Sequence, residues 1–287
     1  MSKHVSIWLE LIGIPVKQYY LDAGGVRTRV LEAGQGPALI FVHGTGGHLE
    51  AYARNFKDLS QYFRMVTYDM VGHGLTDKPD QPYTIGVLSD HLLALMDAMN
   101  IDQAHLSGES IGGWVAAWTA AYYPERVGRL VLNTPGNITN KPEVMRRVKE
   151  SSLQAVREAT AENVRSRLEW LFYEKSFVTD ELVSIRQAIY TQAGFLRAME
   201  NIVAMQDPEI RRHYAWSSEW CEKIKASTLL LWTDHDPTGG LDEADLLKQW
   251  IRGSQLHVIS DAGHWPQWEK PEEFNEVHRK FLFGGKV

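Results

Sequence analysis

Two textures of apolar and polar positions alternate along this chain. Short runs that are wholly or alternately apolar have the period of strands. Longer stretches with apolar residues three and four apart have the period of helices. Val16 to Asp22 and Val26 to Glu32 are β-rich runs joined by Ala23-Gly24-Gly25, a hairpin signal. Ala38 to Val42 is apolar throughout, as expected of a strand buried on both faces of a parallel sheet. Glu50 to Tyr62 reads as a helix and Phe63 to Tyr68 as the next strand. Leu88, Leu92, Leu95 and Met96 have helical spacing within Tyr83 to Met99. Ala104 to Leu106 is strand-like, Trp114 to Tyr123 helical, and Val127 to Leu132 an apolar strand again. Such alternation predicts an α/β fold whose parallel sheet is built from right-handed crossovers.

The texture changes at Asn137. From there to about Ser218 the chain is polar and helical, rich in Arg and Glu, and punctuated by Pro142, Gly194 and Pro208. Thr228 to Trp232 resumes the sheet, Leu241 to Ile251 reads as a helix, and Gln255 to Ser260 as the last strand. Glu269 to Phe283 closes the chain as a helix. The expected organisation is a core in two parts, residues 1–136 and 219–287, with a helical cap, residues 137–218, inserted between them. No internal repeat or low-complexity segment interrupts the pattern.

Composition narrows the class of partner. The chain has 287 residues, enough for one large domain with an insertion. A net charge of −6 and a pI near 6.0 give no reason to expect nucleic acid or an anionic membrane. The single cysteine, Cys221, excludes an internal disulfide, suits a reducing compartment and reads as a packing residue. No run approaches the ~18 apolar residues of a membrane span. The apolar patch Val5 to Leu11 is interrupted by Glu10 and has no small-residue cleavage site, so no signal peptide is read and a cytoplasmic location is expected. A small molecule is the expected partner, with a homodimer left open.

Candidate chemistry gathers at Leu106-Ser107-Gly108-Glu109-Ser110-Ile111-Gly112-Gly113, between a strand-like and a helical run. Gly108-x-Ser110-x-Gly112 has the spacing of a nucleophile elbow. A serine on a sharp strand-to-helix turn is strained, and a glycine two residues away on either side leaves room for it. The amide of Ile111 then falls at a helix N-terminus, where an unpaired N–H favours an oxyanion. His43-Gly44-Thr45-Gly46-Gly47 follows the third strand, and its glycines let backbone amides approach a ligand. Asp69-Met70-Val71-Gly72-His73-Gly74 reads as a structural turn. A serine elbow needs a base and a group that orients the base. Asp234 and Asp236 follow the resumed strand and His264 follows the last one, which brings them to the carboxyl edge of the sheet. Of 11 histidines only His264 follows a glycine directly after the terminal strand. The order Ser110, Asp, His264 belongs to this scaffold and not to other serine-protease folds.

With these motifs the chain resembles an α/β-hydrolase along essentially its whole length. The superfamily usually places its acid three residues beyond the small residue that ends the strand, which selects Asp236 counted from Thr233. A narrower resemblance lies in Gly263-His264-Trp265-Pro266-Gln267-Trp268-Glu269, which is similar to the ending of the meta-cleavage product hydrolases. Those enzymes split a C–C bond in ring-opened aromatic compounds. The resemblance implies that Trp265 borders the substrate. It also implies that Arg186, within Glu181-Leu182-Val183-Ser184-Ile185-Arg186, pairs with the substrate carboxylate from a cap helix. Two features depart from that family: a shorter loop after His43-Gly44, and Glu109 where Asn often precedes the nucleophile. A carboxylate there would repel an anionic substrate if it faced the pocket.

The implied chemistry is a Ser110-His264-Asp236 triad, with the amides of Thr45 and Ile111 as oxyanion donors and Gly44, Glu109, Arg186 and Trp265 bordering the substrate. No metal or organic cofactor is implied. In the family a dienol ketonises, the serine attacks the ketone carbon, a 2-hydroxydienoate leaves, and water removes the acyl group. The rival readings are an ester or amide hydrolase with the same triad, a ligand-binding member with little turnover, and a cofactor-free lyase or oxygenase using His264 as base.

Overall fold

The computed structural model describes residues 6–287. Val5, the first residue of the apolar N-terminal patch, lies outside them, whereas Ile7–Leu11 forms a short helix capped by the Ser6 hydroxyl. Eight strands make one sheet: β1 (Lys17–Asp22), β2 (Arg27–Ala33), β3 (Ala38–Val42), β4 (Arg64–Tyr68), β5 (Ala104–Glu109), β6 (Val127–Asn133), β7 (Ser227–Thr233) and β8 (Gln255–Ile259). Their spatial order is β1-β2-β4-β3-β5-β6-β7-β8. The β1–β2 hairpin pairs antiparallel, as does β2 with β4, and every later pair is parallel. Parallel pairing needs a crossover, and it buries both faces of the central strands. Leu39, Ile40, Phe41 and Val42 of β3 are accordingly sealed from solvent, as are Leu229 to Trp232 of β7.

The helix Ile85–Ala98 buries Leu88, Leu92, Leu95 and Met96, the positions its spacing singles out. Two predicted helices differ in form. Leu49–Asn55 winds as a 3₁₀ segment and only Phe56–Leu59 is α-helical, where one helix was expected over Glu50 to Tyr62. Leu49, Ala51, Tyr52, Ala53 and Asn55 are all buried, so the segment is packed on most sides and has no single apolar stripe to favour the α period. The closing helix, expected from Glu269 to Phe283, runs from Pro271 to Leu282, and Glu269 instead ends a separate short helix, Pro266–Glu269, because a proline inside a helix lacks the N–H and clashes with the preceding turn.

Between β6 and β7 the chain forms helices only. The principal ones are Pro142–Arg157, Ala161–Glu169, Asp180–Tyr190, Phe195–Ile202 and Pro208–Tyr214. Pro142–Arg157 packs against Ala161–Glu169 and Phe195–Ile202, and Ala161–Glu169 packs against Asp180–Tyr190. The block returns to the core through Trp114 Nε1, which donates to the Tyr214 carbonyl at 3.1 Å, and through His264 N, which donates to the Leu171 carbonyl at 2.7 Å. It therefore sits over the carboxyl ends of β5, β6 and β8.

Candidate active site

Ser110 stands between β5 and the helix Ile111–Tyr122 with φ 57° and ψ −126°, in the left-handed region that costs a residue with a side chain on the order of 1–3 kcal/mol. The surrounding packing holds this conformation. A Cβ at Gly108 would stand 2.1 Å from the Gly112 carbonyl oxygen, and one at Gly112 would stand 2.1 Å from that of Val42. Only hydrogen fits at either position, so the two flanking glycines are required by close backbone approach.

His264 follows β8 and is held from several sides. Thr134 Oγ1 donates to its carbonyl at 3.0 Å, and Thr233 Oγ1 donates to the Gly263 carbonyl at 2.8 Å. The buried Glu269 carboxyl accepts from the amides of Gly263, Tyr173 and Glu174 at 2.8, 3.0 and 3.0 Å. One side chain thus ties the histidine loop to the cap. Burial pushes Glu269 up to about 7 despite the three donors.

Asp236 Oδ1 lies 2.9 Å from His264 Nδ1 and also accepts from the amide and hydroxyl of Thr238 at 2.8 and 2.9 Å. Asp234 points elsewhere. Its carboxylate accepts from the amides of Asp261 and Ala262 at 3.0 and 3.4 Å, bracing the loop before His264. On the other side of the ring, His264 Nε2 makes an ion pair with Glu109 Oε1 at 3.1 Å, and both side chains are buried. Burial alone would push the imidazole down; carboxylates at both ring nitrogens outweigh it and hold the group at about 10.

These residues border a cavity of about 40 Å³. Gly44, Thr45, Glu109, Ser110, Ile111, His264 and Trp265 line it from the core, and Val144, Val148, Arg167, Leu171 and Arg211 line it from the helical block. All the core residues expected at the site except Asp236, which stands behind the imidazole, therefore share one lining. Arg186 is not part of it. It is 1% exposed, stacks its guanidinium 5.1 Å from the Trp265 ring, and leaves Nη2 without a partner. Its Nε approaches His48 Nε2 at 3.5 Å, the outer end of a buried chain. His48 Nδ1 reaches Glu50 at 2.9 Å, and Glu50 and Asp69 both bind Arg29. Although burial works against its charge, Glu50 is held well below the usual carboxylate range by His48 and Arg29.

The same network fixes the loop after β3. Asp69 Oδ1 accepts from the Leu49 amide at 2.8 Å, and Oδ2 accepts from the Leu75 amide at 2.7 Å. His43 accepts from the Met70 amide at Nε2 (3.1 Å), so its proton sits on Nδ1 and is donated to the Gly44 carbonyl at 2.9 Å. Burial pushes this histidine down to about 3, which keeps it neutral and in that tautomer.

Sequence reading did not single out Arg167, Thr238 or Glu269. Arg167 lines the cavity, is pushed down to about 10 by burial, and leaves Nη1 without a partner. A signal for it existed: it lies between the buried Val164 and Leu168, an arginine on the apolar stripe of its helix. Thr238 and Glu269 had none for the site, because what brings them to it, the contact of Thr238 with His264 and those of Glu269 with Tyr173 and Glu174, joins segments distant in sequence.

Known proteins provide an independent comparison. The profile of the α/β hydrolase fold family matches residues 37–271. The chain is 32% identical over 267 residues to a 2-hydroxy-6-oxo-2,4-heptadienoate hydrolase from Pseudomonas putida, covering 91% of this chain and 94% of that protein. It is 31% identical over 261 residues to a 2-hydroxy-6-oxo-6-phenylhexa-2,4-dienoate hydrolase from Comamonas testosteroni, covering 88% and 89% respectively. Among solved structures it is similar to a serine-to-alanine mutant of a meta-cleavage product hydrolase from Pseudomonas fluorescens, complexed with acetates. The TM-score is 0.79 at 32% identity, over 93% of this chain and 97% of that one.

Proposed function

The chain belongs to the α/β hydrolase fold family, and from that premise we propose that it is a serine hydrolase cleaving a C–C bond in a 2-hydroxy-6-oxo-2,4-dienoate, a product of aromatic ring fission. The observation that carries this reading is the gathering of Ser110, His264 and Trp265 on one cavity, with Asp236 behind the imidazole at 2.9 Å. Ser110 is the nucleophile, His264 the base, and Asp236 holds the ring in the tautomer that presents Nε2. The amides of Thr45 and Ile111 receive the oxyanion, each worth on the order of 3 kcal/mol. The ketonised substrate is attacked at its 6-oxo carbon, the C–C bond breaks to release a 2-hydroxydienoate, and water frees the acyl group from Ser110. Residues 137–218 act as the lid that screens ketonisation and C–C cleavage from bulk solvent, and a single water admitted afterwards frees the acyl group.

A carboxylate under the lid needs a partner. Arg186, with Nη2 unpartnered, is the residue assigned to it, and Arg167, with Nη1 unpartnered, offers a second guanidinium in the lining itself. Ester or amide hydrolysis is the second reading, and it is favoured by one observation: Glu109 puts a carboxylate into the cavity, against an anionic substrate. Incubation with a coloured ring-fission dienoate beside a neutral aryl ester decides between them. Loss of the dienoate colour supports the C–C reading, and consumption of the ester alone removes it.

A further inference from the structure

Glu109 ends β5 and immediately precedes the strained turn at Ser110. It is 1% exposed and is the sole carboxylate among the described residues that line the cavity. Its Oε1 is 3.1 Å from Nε2 of His264, the nitrogen that has to accept the Ser110 proton. Its Oε2 has no partner. A Cβ placed on Gly44 would meet the two carboxylate oxygens at 2.6 and 2.7 Å, so the group lies against the Gly44 backbone. The space next to the nucleophile is thereby held by an anion belonging to the protein itself.

We propose that Glu109 is a positioning residue whose carboxylate keeps a proton on Nε2 of His264 in the ligand-free enzyme and withholds that nitrogen from Ser110 until substrate displaces it. This rests on the reading of His264 as the catalytic base. The charged and titratable groups around the pair come from three directions. Asp236 holds Nδ1 from the loop after β7, and Thr238 Oγ1 lies 3.1 Å from the same nitrogen. Tyr52, from the 3₁₀ segment, is turned to the Val42 carbonyl at 3.0 Å and burial pushes its hydroxyl far up, so it stays neutral. Arg167 and Arg211 face the cavity from the lid. Arg211 is occupied by the carbonyls of Asn137 and Met205 and the side chain of Asn140. An imidazole between two carboxylates is held as the cation.

An imidazolium has no lone pair for the serine proton, so the held proton has to leave before attack. A dienolate supplies the place. The Nε2 proton adds to the carbon next to the 6-oxo group, the enolate oxygen becomes a carbonyl, and the imidazole is left neutral. Ser110 then gives its proton to Nε2 as Oγ bonds to the ketone carbon. An ester offers no such acceptor, and the proton must be lost to water first. Although its charge opposes an anion, Glu109 keeps on His264 the proton that a dienolate consumes before it is attacked.

The pH dependence of turnover of a neutral aryl ester and of a ring-fission dienoate, measured for the wild-type enzyme and for Glu109→Gln, tests this. The ester profile of the wild type should rise toward alkaline pH, following a histidine held at about 10. Glu109→Gln should move that rise down by at least one pH unit and increase ester turnover at pH 7 at least five-fold, while dienoate turnover at pH 7 falls at least five-fold. Superimposable ester profiles would overturn the proposal. If neither protein consumes the dienoate but the ester profile still shifts, the role of Glu109 stands and the substrate reading falls. Should the variant fail to fold, ¹⁵N NMR of His264 in the wild-type protein answers the same question. An imidazolium persisting above pH 8 supports the proposal, and a neutral ring at pH 7 overturns it.

Discussion

At the scale of single residues, the acid is a choice between two carboxylates two positions apart. Asp236 faces His264 Nδ1, whereas Asp234 spends its oxygens on the amides of Asp261 and Ala262. Ser110→Ala and His264→Ala are expected to remove nearly all turnover, and Asp236→Asn about 10⁴-fold, with the fold retained. Asp234→Asn should cost less than ~1 kcal/mol in stability and little in rate, since the Asp261 amide it binds is exposed and the Ala262 bond is long, at 3.4 Å. A crippled Asp234→Asn beside a mild Asp236→Asn, in steady-state kinetics, would reverse the assignment. The two guanidinium groups that each leave one nitrogen without a partner admit a similar test. Arg186→Gln should weaken processing of a carboxylate-bearing dienoate by roughly 2–4 kcal/mol, the cost of a buried charge left without its partner. A neutral ester should be almost unaffected. Equal losses on both substrates assign Arg186 to the His48–Glu50–Arg29 chain that ties the lid to the core, and leave Arg167 as the cation for the carboxylate.

At the scale of elements, the site depends on how the helical block between β6 and β7 meets the loop after β8. Glu269 links Gly263 to Tyr173 and Glu174, and His264 N reaches Leu171. Glu269→Ala leaves three amides without their acceptor at a buried junction, each worth on the order of 1 kcal/mol. Urea unfolding should show about 2–4 kcal/mol of lost stability, and turnover should fall as His264 loses its anchoring. A stability change below ~0.5 kcal/mol would mean that water replaces the carboxylate and that the junction is not dry. The elbow itself was legible in the sequence, because Gly108 and Gly112 are demanded by contacts within a local strand–turn–helix and with β3 beside it. The 3₁₀ form of Leu49–Asn55 was not, since it depends on burial all round by elements distant in the chain.

For the whole molecule, buried titratable groups make stability depend on pH in a predictable sense. Burial pushes His43, His73 and His91 to about 3 and His278 to about 4, below the ordinary 6.5. The unfolded chain then takes up protons before the folded one, so stability falls as pH drops below about 6.5. Glu50, held low by His48 and Arg29 against its burial, adds stability that is present above about 4.5 and lost on further acidification. His264 and Glu269 act in the opposite sense. Their folded values of about 10 and about 7 lie above the ordinary ones, so their contribution is complete in acid and fades as pH rises, from about 6.5 to 10 and from about 4.5 to 7 respectively. The lowered histidines outnumber His264 and Glu269, the groups raised across the neutral range, which places the maximum near pH 7 with a steep acid limb. Equal urea midpoints at pH 4.5 and pH 7 would contradict this.

The sequence by itself determined what depends on near neighbours and on periodicity. The eight strands follow from their apolar runs, the helical block from its loss of strand period, and the nucleophile turn from two glycines about a serine. The order Ser110, Asp236, His264 followed from the scaffold, and membership of the family from motifs along its whole length. Tertiary structure alone decided what lies between distant segments. It put Arg167 rather than Arg186 in the cavity lining, gave Glu269 its three donors from two regions of the chain, and turned Glu109 onto His264 across 155 positions of sequence. Hydrophobic period specifies which face of an element is covered, but a charge on that face acquires its meaning only from the group that folding sets against it.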